Sequence, residues 1–348
     1  MKEFLYEIAI GRKRGFVAEI IKALLLLLSL LYAVVVSVRV FLYKAGIIRS
    51  FKLPKPVISV GNITTGGVGK TPLVAYLASK IKAKGKRAVI LTRGYMDQKG
   101  ATSDEARWLQ EQLGIPVLVG ADRAGVAQEF LKRDSCDVFL LDDGFQHLRL
   151  KRDLDIVAID TTNPWAGGHL LPRGFLREAV AALGRAQVII LTRADQGKAV
   201  AASIEESVRH VNPKTLILFA RHQPLDCLDL RNNQTRPIDA LKNKTICSFC
   251  SIGNPASFEN TLRSLGAKVV MNLPFMDHHV YAAQDIQAIN RLCEVNRIQT
   301  VVTTEKDRMK LENVLGSFSS DLQILSLRVT FALESNEDAL LERIYHLL

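Results

Sequence analysis

The chain has 348 residues, of which 48% are hydrophobic and 23% are charged, which excludes an intrinsically disordered protein and allows two ordinary domains. Its formal net charge is +11, and the excess is local. Between Glu19 and Asp97 there are thirteen Lys or Arg and no acidic residue, which leaves 33 basic and 35 acidic residues elsewhere. Such a segment is typical of a protein that binds nucleic acid or lies against an anionic membrane.

The first predicted element is an apolar helix near the N-terminus. After Lys22, sixteen consecutive residues are uncharged, and residues 40–43 extend the apolar stretch beyond Arg39. About twenty apolar residues span a bilayer, and the segment lacks a clear small-residue cleavage site for a signal peptide. We therefore expect residues 1–50 to be a membrane anchor that spans the bilayer or lies in one leaflet, with a buried core helix as the alternative. This favours an anionic leaflet, and no nucleic acid, as the partner of the basic segment.

The rest of the chain alternates between apolar strands and helices, which is typical of parallel sheets covered on both faces. A polar stretch at 221–243 is interpreted as a linker or a short hairpin, and a second alternation follows it. The predicted fold class is α/β: a membrane-anchor helix, a P-loop parallel-sheet domain at 51–225, and a smaller second α/β domain at 226–348 that completes a cleft. The first seven predicted strands are 56–61, 87–92, 116–120, 136–143, 154–160, 186–192 and 215–220.

A glycine-rich loop joins the first predicted strand to a helix, in SVGNITTGGVGKTP at 59–72. The usual phosphate-binding spacing would put its first glycine at Thr64, so the glycines are shifted. Glycine lets backbone N–H groups approach phosphate oxygens at the positive end of a helix. Lys70 would reach the β and γ phosphates, and Thr71 would bind Mg²⁺. The predicted nucleotide contacts in the loop are Gly66, Gly67, Val68, Gly69, Lys70, Thr71 and Pro72.

A second apolar strand ends in two carboxylates, in CDVFLLDDGFQH. Asp142 and Asp143 would lie beside the loop, where one of them holds Mg²⁺ directly or through water. Adjacent carboxylates that merely cap a turn are the alternative.

The five cysteines include Cys247 and Cys250, but no second pair or His cluster follows at zinc spacing. We expect no metal there, and free cysteines suit a reducing, cytoplasmic compartment.

The order of the motifs carries a resemblance. GGVGKT also occurs in partition ATPases, but their signature lysine is replaced here by Thr65. SVGNITTGGVGKTP, LTRGY, SDEARWL, DDGFQHLRL, LLPRGFLRE, FCSIGNPASF, FMDHHVY and TTEKDRMKL occur in this order after LSLLYAVVVSVRVFLYKAG. Together they closely resemble the tetraacyldisaccharide 4′-kinases of lipid A biosynthesis, a family whose loop has the same shifted glycines.

This resemblance implies ATP-dependent phosphorylation of the 4′-hydroxyl of an acylated disaccharide 1-phosphate, with Mg²⁺. No obligate protein partner is inferred from the sequence. It also implies an anchor on the cytoplasmic face of the inner membrane of a Gram-negative bacterium. The lipid substrate agrees with the apolar helix, and the anionic leaflet agrees with the basic segment. The alternatives are a membrane-associated P-loop ATPase or GTPase switch and a transporter ATPase. LTRAD at 191–195 is only distantly similar to the guanine-binding N-K-x-D motif.

The resemblance also implies the catalytic groups. Asp104 matches the general base and Glu105 matches a Mg²⁺ ligand, although alone they could be carboxylates that favour a helix start. The family usually has Gly-Asp-Glu-Pro where this chain has Ser103 to Ala106. His278 is chosen over His279 as the partner of the base. With Asp104 and Lys70 in the first domain and His278 in the second, catalysis would need the domains to close.

Several further residues of the matching motifs are expected at the site. Any of the arginines could hold ATP, the lipid phosphate or transition-state charge, with an ordinary salt bridge as the alternative. These candidates are Arg93, Arg123, His147, Arg177 and Glu178. In TTEKDRMKL, the sequence predicts a structural or hinge role for Glu305, Lys306 and Asp307.

Overall fold

The computed structural model describes Ile8 and residues 15–94, 104–277 and 279–348, with only the backbone described for Asp104 and Glu105. The helices of these residues are α1 (Phe16–Lys44), α2 (Lys70–Ala83), α3 (Asp104–Leu113), α4 (Arg123–Leu131), α5 (Lys198–Val211), α6 (Pro255–Ser264), α7 (Ala283–Val295), α8 (Glu305–Leu311) and α9 (Glu337–Tyr345). The strands are β1 (Val57–Gly61), β2 (Ala88–Thr92), β3 (Val117–Val119), β4 (Val138–Asp142), β5 (Leu154–Asp160), β6 (Val188–Thr192), β7 (Leu216–Asp229), β8 (Thr235–Pro237), β9 (Thr245–Cys250), β10 (Lys268–Pro274), β11 (Thr300–Thr304) and β12 (Gln323–Leu333).

The first of two compact units contains the described residues up to 94, together with 113–221 and 333–348. Its strands lie in the order β7-β6-β5-β1-β4-β2-β3 and every neighbouring pair is parallel. β1, β2, β4, β5 and β6 are buried along their whole length, which explains their continuous apolar sequences. This arrangement confirms the predicted parallel sheet and brings the ends of β1 and β4 together.

The second unit contains residues 104–112 and the described part of 222–332. Here the strand order is β10-β9-β11-β12-β7, with β8 antiparallel to β7. The pairs β10–β9, β9–β11 and β11–β12 are parallel. Two buried apolar clusters form its core, one that includes Phe249 and Ile289 and another that includes Leu262 and Leu325. A second α/β unit is therefore present, as the alternation predicted.

The two units differ from the predicted segments in their membership. Residues 104–112 belong to the second unit, whereas the sequence placed Asp104 with the P-loop, and residues 333–348 belong to the first. The contacts of α3 give the reason: Arg107 donates to Glu312 at 3.2 Å, and Gln112 donates to Glu305 at 3.1 Å. At 221–243, β7 continues to Asp229 and pairs with β8, so the hairpin alternative is confirmed.

Helix α1 is the element that corresponds to the predicted anchor. Among the described residues it is the one helix long and apolar enough to cross a membrane, with a mean hydropathy of 2.5. The helix has a protein-facing side, on which Ser29 donates to the Leu170 carbonyl at 2.6 Å and Tyr32 donates to the Arg177 carbonyl at 3.0 Å. Many of its large apolar side chains are exposed, among them Leu24, Leu27, Leu31, Val34, Val38 and Phe41.

Candidate active site

The glycine-rich loop follows β1 and ends where α2 begins, as its sequence predicts. Gly66 and Gly69 have φ of 122° and 88°, a region that side chains with a Cβ rarely adopt. The buried Asn62 amide supports the loop by donating to the Thr64 carbonyl at 2.8 Å. Because the first N–H groups of a helix have no intrahelical acceptor, the start of α2 at Lys70 is suited to bind an anion.

Lys70 lies at this helix start beside a carboxylate and an amide. Its Nζ donates to Asn62 Oδ1 at 3.1 Å and lies 3.3 Å from Asp143 Oδ1. Arg177 also binds Asp143, with Nη1 at 3.0 and 2.8 Å from the two carboxylate oxygens. Burial opposes ionisation of Asp143, but Lys70 and Arg177 outweigh it and lower the pKa of this carboxyl. The structure thus joins three of the predicted residues into one charged group.

Asp142 occupies a different position from its neighbour Asp143. It is the last residue of β4, is 5% exposed, and lies in register with Val60 of β1. Asp143 follows with φ of 50° and turns toward Lys70 and Arg177. Because two cations already neutralise Asp143, Asp142 is the better candidate for a Mg²⁺ ligand.

The segment after the cis peptide bond at Pro172 runs alongside the loop. Thr65 N–H donates to the Phe175 carbonyl at 2.7 Å, and Arg177 N–H donates to the Ile63 carbonyl at 2.7 Å. Glu178, which is 4% exposed, accepts two bonds from Arg185, at 2.9 and 3.0 Å, and one from Gln146 at 3.0 Å. These contacts favour a supporting role for Glu178, so its predicted nucleotide contact stays a prediction.

Arg123, another of the predicted cations, lies near the two carboxylates. Arg123 is the first residue of α4 and is 5% exposed, and its Nε has no hydrogen-bond acceptor among the residues described. Burial lowers the pKa of Arg123, while Asp143 and Asp142 partly oppose this effect. Arg93, exposed after β2, repels Arg123 electrostatically. Arg123 is therefore a buried cation near the carboxylates rather than half of a surface salt bridge.

His147 is half-buried and its Nε2 has no hydrogen-bond partner among the described residues. Burial, followed by repulsion from Arg123 and other arginines, lowers the pKa of His147 from 6.5 to about 4. The ring is neutral at pH 7 and would meet a nucleotide as a neutral donor or acceptor.

This shift predicts a pH dependence of stability. As pH falls from 6.5 to about 4, the unfolded chain binds a proton at His147 that the folded chain does not, so the folded state loses stability. As pH falls through this window, the unfolding temperature of His147→Gln should fall less than that of the wild type. The measurement is calorimetry of both proteins at a series of pH values. His210→Gln, at an exposed site in α5, is the control. Parallel curves for wild type and His147→Gln would contradict the assignment.

The predicted catalytic residues are only partly described. The backbone of Asp104 and Glu105 begins α3, and His278 lies outside the described residues. The neighbouring His279 stacks on Phe275 with ring centroids 4.8 Å apart, and its Nε2 lies 2.9 Å from Asp285 Oδ2. Because His279 is engaged within its own unit, His278 remains the predicted partner of the base.

In the second unit, Asp307 has a structural environment, in agreement with the role expected for TTEKDRMKL. Its fully buried carboxylate accepts from Ser251 N–H at 3.0 Å and from Thr304 Oγ1 at 2.7 Å. Lys310 Nζ lies 3.3 Å away. These contacts tie the start of α8 to the end of β9. The five cysteines are buried and free.

Sequence reasoning missed a set of residues behind the loop. Arg193 Nη2 donates to the Gly67 carbonyl at 2.9 Å, and Thr192 Oγ1 donates to the Val68 carbonyl at 2.8 Å. Arg193 also pairs with Asp160 at the end of β5. The signal in the sequence is LTRAD at 191–195, which follows the apolar run of a predicted strand.

Comparisons with known proteins show the family of this chain. The family model LpxK, tetraacyldisaccharide-1-P 4′-kinase, matches residues 21–348. A tetraacyldisaccharide 4′-kinase of Syntrophus aciditrophicus is 40% identical over 83% of this chain and 84% of its own. One from Halothermothrix orenii is 31% identical over 97% and 96%. The crystal structure of LpxK from Aquifex aeolicus in complex with ATP has a TM-score of 0.69 and 28% identity, covering 94% of this chain and 99% of that one. The chain therefore belongs to the tetraacyldisaccharide-1-phosphate 4′-kinase family.

Proposed function

We propose that this protein transfers the γ-phosphate of ATP to the 4′-hydroxyl of a tetraacylated disaccharide 1-phosphate, giving the bis-phosphorylated precursor of lipid A. The observation that carries the proposal is the loop at residues 66–71, with Lys70 held beside Asp143, in a chain that matches the kinase family from residue 21 onward. The ATP-bound relative supports ATP as the phosphate donor. Membership of this family does not support the alternative of a non-enzymatic switch.

In this proposal the loop and the start of α2 bind the ATP phosphates. The backbone N–H groups and Lys70 would offset their negative charge, and Arg177 and Arg123 are further cations near the same carboxylates. Such charge is worth most in the transition state, where it develops on the transferred group. Lys70 would then exchange its contact with Asp143 for the nucleotide.

The donor set near the loop fits Mg²⁺. This ion prefers oxygen ligands and is commonly held by one or two carboxylates together with substrate phosphates, so a preformed protein cluster is not required. No group of three His, Cys, Asp or Glu side chains suited to a metal occurs among the described residues, which leaves out the Glu105 side chain. Thr71 and Asp142 would hold the ion, with Glu105 as the family-derived third ligand. When bound, Mg²⁺ would neutralise phosphate charge.

Asp104 would accept the proton of the sugar hydroxyl. A hydroxyl is a poor nucleophile until a base removes its proton, and a carboxylate within hydrogen-bond reach supplies that base. The support is the family resemblance together with the position of Asp104 at the start of α3. His278 would assist it.

The exposed stripe of α1 would bind the membrane that carries the lipid acceptor. Contacts at Ser29, Tyr32 and Arg39 hold the opposite side of α1 against protein carbonyls. Residues 29–39 cover about 15 Å of helix, since each residue rises about 1.5 Å. These contacts favour the alternative in which α1 lies in one leaflet. The cytoplasmic face of the inner membrane, where ATP is available, is the location we propose.

One experiment tests both parts of this proposal. The full chain is incubated with labelled ATP, Mg²⁺ and vesicles of anionic lipid with or without the tetraacylated disaccharide 1-phosphate. We expect the label to appear in the lipid only when the acceptor is present, and we expect the protein to sediment with the vesicles. A double variant, Leu27→Glu with Leu31→Glu, should lose sedimentation because it places charge on the exposed stripe.

Two outcomes would contradict the proposal separately. In the first, folded protein hydrolyses ATP at the same rate with and without acceptor, and no lipid is labelled. This result would reject the kinase and favour the alternative of a P-loop switch. Lipid labelling together with full sedimentation of the double variant would retain the kinase but reject the membrane role of the α1 stripe.

A further inference from the structure

The phosphate-binding loop is held from behind by residues at the end of β6. Thr192 is fully buried, and its hydroxyl is 2.8 Å from the Val68 carbonyl and 3.3 Å from the Ile159 carbonyl. A hydroxyl has one proton to donate, so the shorter contact to Val68 is the favoured bond. Arg193 Nη2 donates to the adjacent Gly67 carbonyl at 2.9 Å. Two consecutive loop carbonyls are thus bound by the last residue of β6 and the residue that follows it.

Arg193 is itself firmly positioned. Its guanidinium forms an ion pair with Asp160, and both side chains are less than a tenth exposed. The backbone of Arg193 has φ of 53°, which is uncommon outside glycine. Thr161 Oγ1 lies 2.7 Å from the Arg193 carbonyl and 3.0 Å from that of Thr192, which holds this turn in place. Local strain that is fixed by surrounding contacts is common at functional sites.

Peptide geometry connects these contacts to nucleotide binding. In a trans peptide the carbonyl and the following N–H point in opposite directions. When Thr192 binds the Val68 carbonyl, the Gly69 N–H is directed away from Thr192. When Arg193 binds the Gly67 carbonyl, the Val68 N–H is likewise directed away from Arg193, and in this structure it donates to the Gly66 carbonyl at 3.1 Å. The bonds therefore keep carbonyl oxygens, which would repel phosphate, behind the loop.

A purely structural explanation accounts poorly for the choice of residues. A buried ion pair pays a large desolvation cost, and apolar residues of similar volume often stabilise a core equally well. An apolar pair could not orient the Gly67 carbonyl. We propose that Thr192 and Arg193 are positioning residues for the nucleotide, which set the loop's peptide groups for phosphate binding, and that Asp160 orients Arg193. This inference rests on the nucleotide-binding part of the proposed function.

The test compares ATP affinity among variants of the full-length protein, measured by calorimetry with Mg²⁺ and by the KM for ATP. Thr192→Val, which preserves shape, should weaken ATP binding about tenfold, and Arg193→Met should weaken it by about ten- to a hundredfold. Thr192→Ser keeps the hydroxyl and should restore affinity to within about twofold of wild type. The KM for the lipid acceptor should not change in any of them.

Arg152→Met is the matched control. Arg152 forms a comparably buried ion pair with Asp155, at 2.9 Å, near the start of β5 and thus at the opposite end of the strands from the loop. We expect it to lose thermal stability to a similar extent while its affinity for ATP stays unchanged. This comparison separates loss of a buried ion pair from loss of loop orientation.

Two results would overturn the inference. One is ATP affinity within twofold of wild type in both Thr192→Val and Arg193→Met. The other is an equal loss of ATP affinity in Thr192→Val and Thr192→Ser, which would show that the Thr192 hydroxyl does not support ATP binding. If Arg193→Met does not fold, the Thr192 pair still decides. If neither the wild type nor any variant labels lipid, the kinase proposal fails. The comparison of ATP affinities still tests the role of Thr192 and Arg193.

Discussion

Replacing Asp104 with asparagine is expected to lower kcat for phosphate transfer to the lipid by about 10²–10⁴-fold, the usual contribution of a positioned general base. Asparagine has nearly the same shape but cannot accept the proton of the sugar hydroxyl at neutral pH. ATP affinity should stay near the wild-type value, because the phosphate-binding groups lie in the loop and at the start of α2. The measurement is labelled-phosphate transfer at saturating ATP and acceptor, together with calorimetric ATP binding.

Glu111→Gln provides the control for this substitution. Glu111 is an acidic residue of the same helix, α3, and is exposed in an ion pair with Arg107. It should keep wild-type kcat, since an exposed ion pair contributes little to stability. If Asp104→Asn retained kcat within a few-fold while folded, the base would have to be another group.

Replacing Lys70 with methionine should lower kcat by about 10²–10³-fold, as does the loss of one group that stabilises transition-state charge. Methionine keeps much of the aliphatic length but removes the ammonium beside Asn62 and Asp143. In this variant Asp143 keeps its bond to Arg177, so the carboxylate is not left without a cation. Single-turnover transfer, which separates chemistry from product release, is the decisive measurement.

Lys82→Met is the control for Lys70→Met. Lys82 belongs to the same helix, α2, but lies near its C-terminal end, where it donates to the Leu113 carbonyl at 2.7 Å. It should retain the wild-type single-turnover rate. An equal loss in both variants would point to damage to α2 rather than to a role at the phosphates.

Local features were predictable wherever their cause is local. Continuous apolar runs predicted the buried strands of the first sheet, and the shifted glycines predicted the loop, because φ of 88° at Gly69 excludes most other residues. The start of α2 at Lys70 and the carboxylates at the end of β4 follow from the same contiguous motifs. The order of those motifs was enough to identify the family.

Contacts between distant segments decided the remainder. Asp142 and Asp143 are equivalent in sequence, yet one continues the strand and the other turns toward Lys70 and Arg177. Residues 104–112 join the second unit because Arg107 and Gln112 bind side chains about two hundred positions away. No periodicity or spacing within the segment reports such partners.

By itself, the sequence determined the α/β alternation, the apolar α1 helix, the phosphate-binding loop and the family of this protein. The first three depend on backbone preference or on apolar burial within a short stretch of chain, and the family on the order of the motifs. Only the tertiary structure decided that Thr192 and Arg193 hold the loop, that Asp160 holds Arg193, and that one side of α1 contacts protein. Hydrogen bonds have direction and short range, so their partners are set by the packing of strands that are remote along the chain.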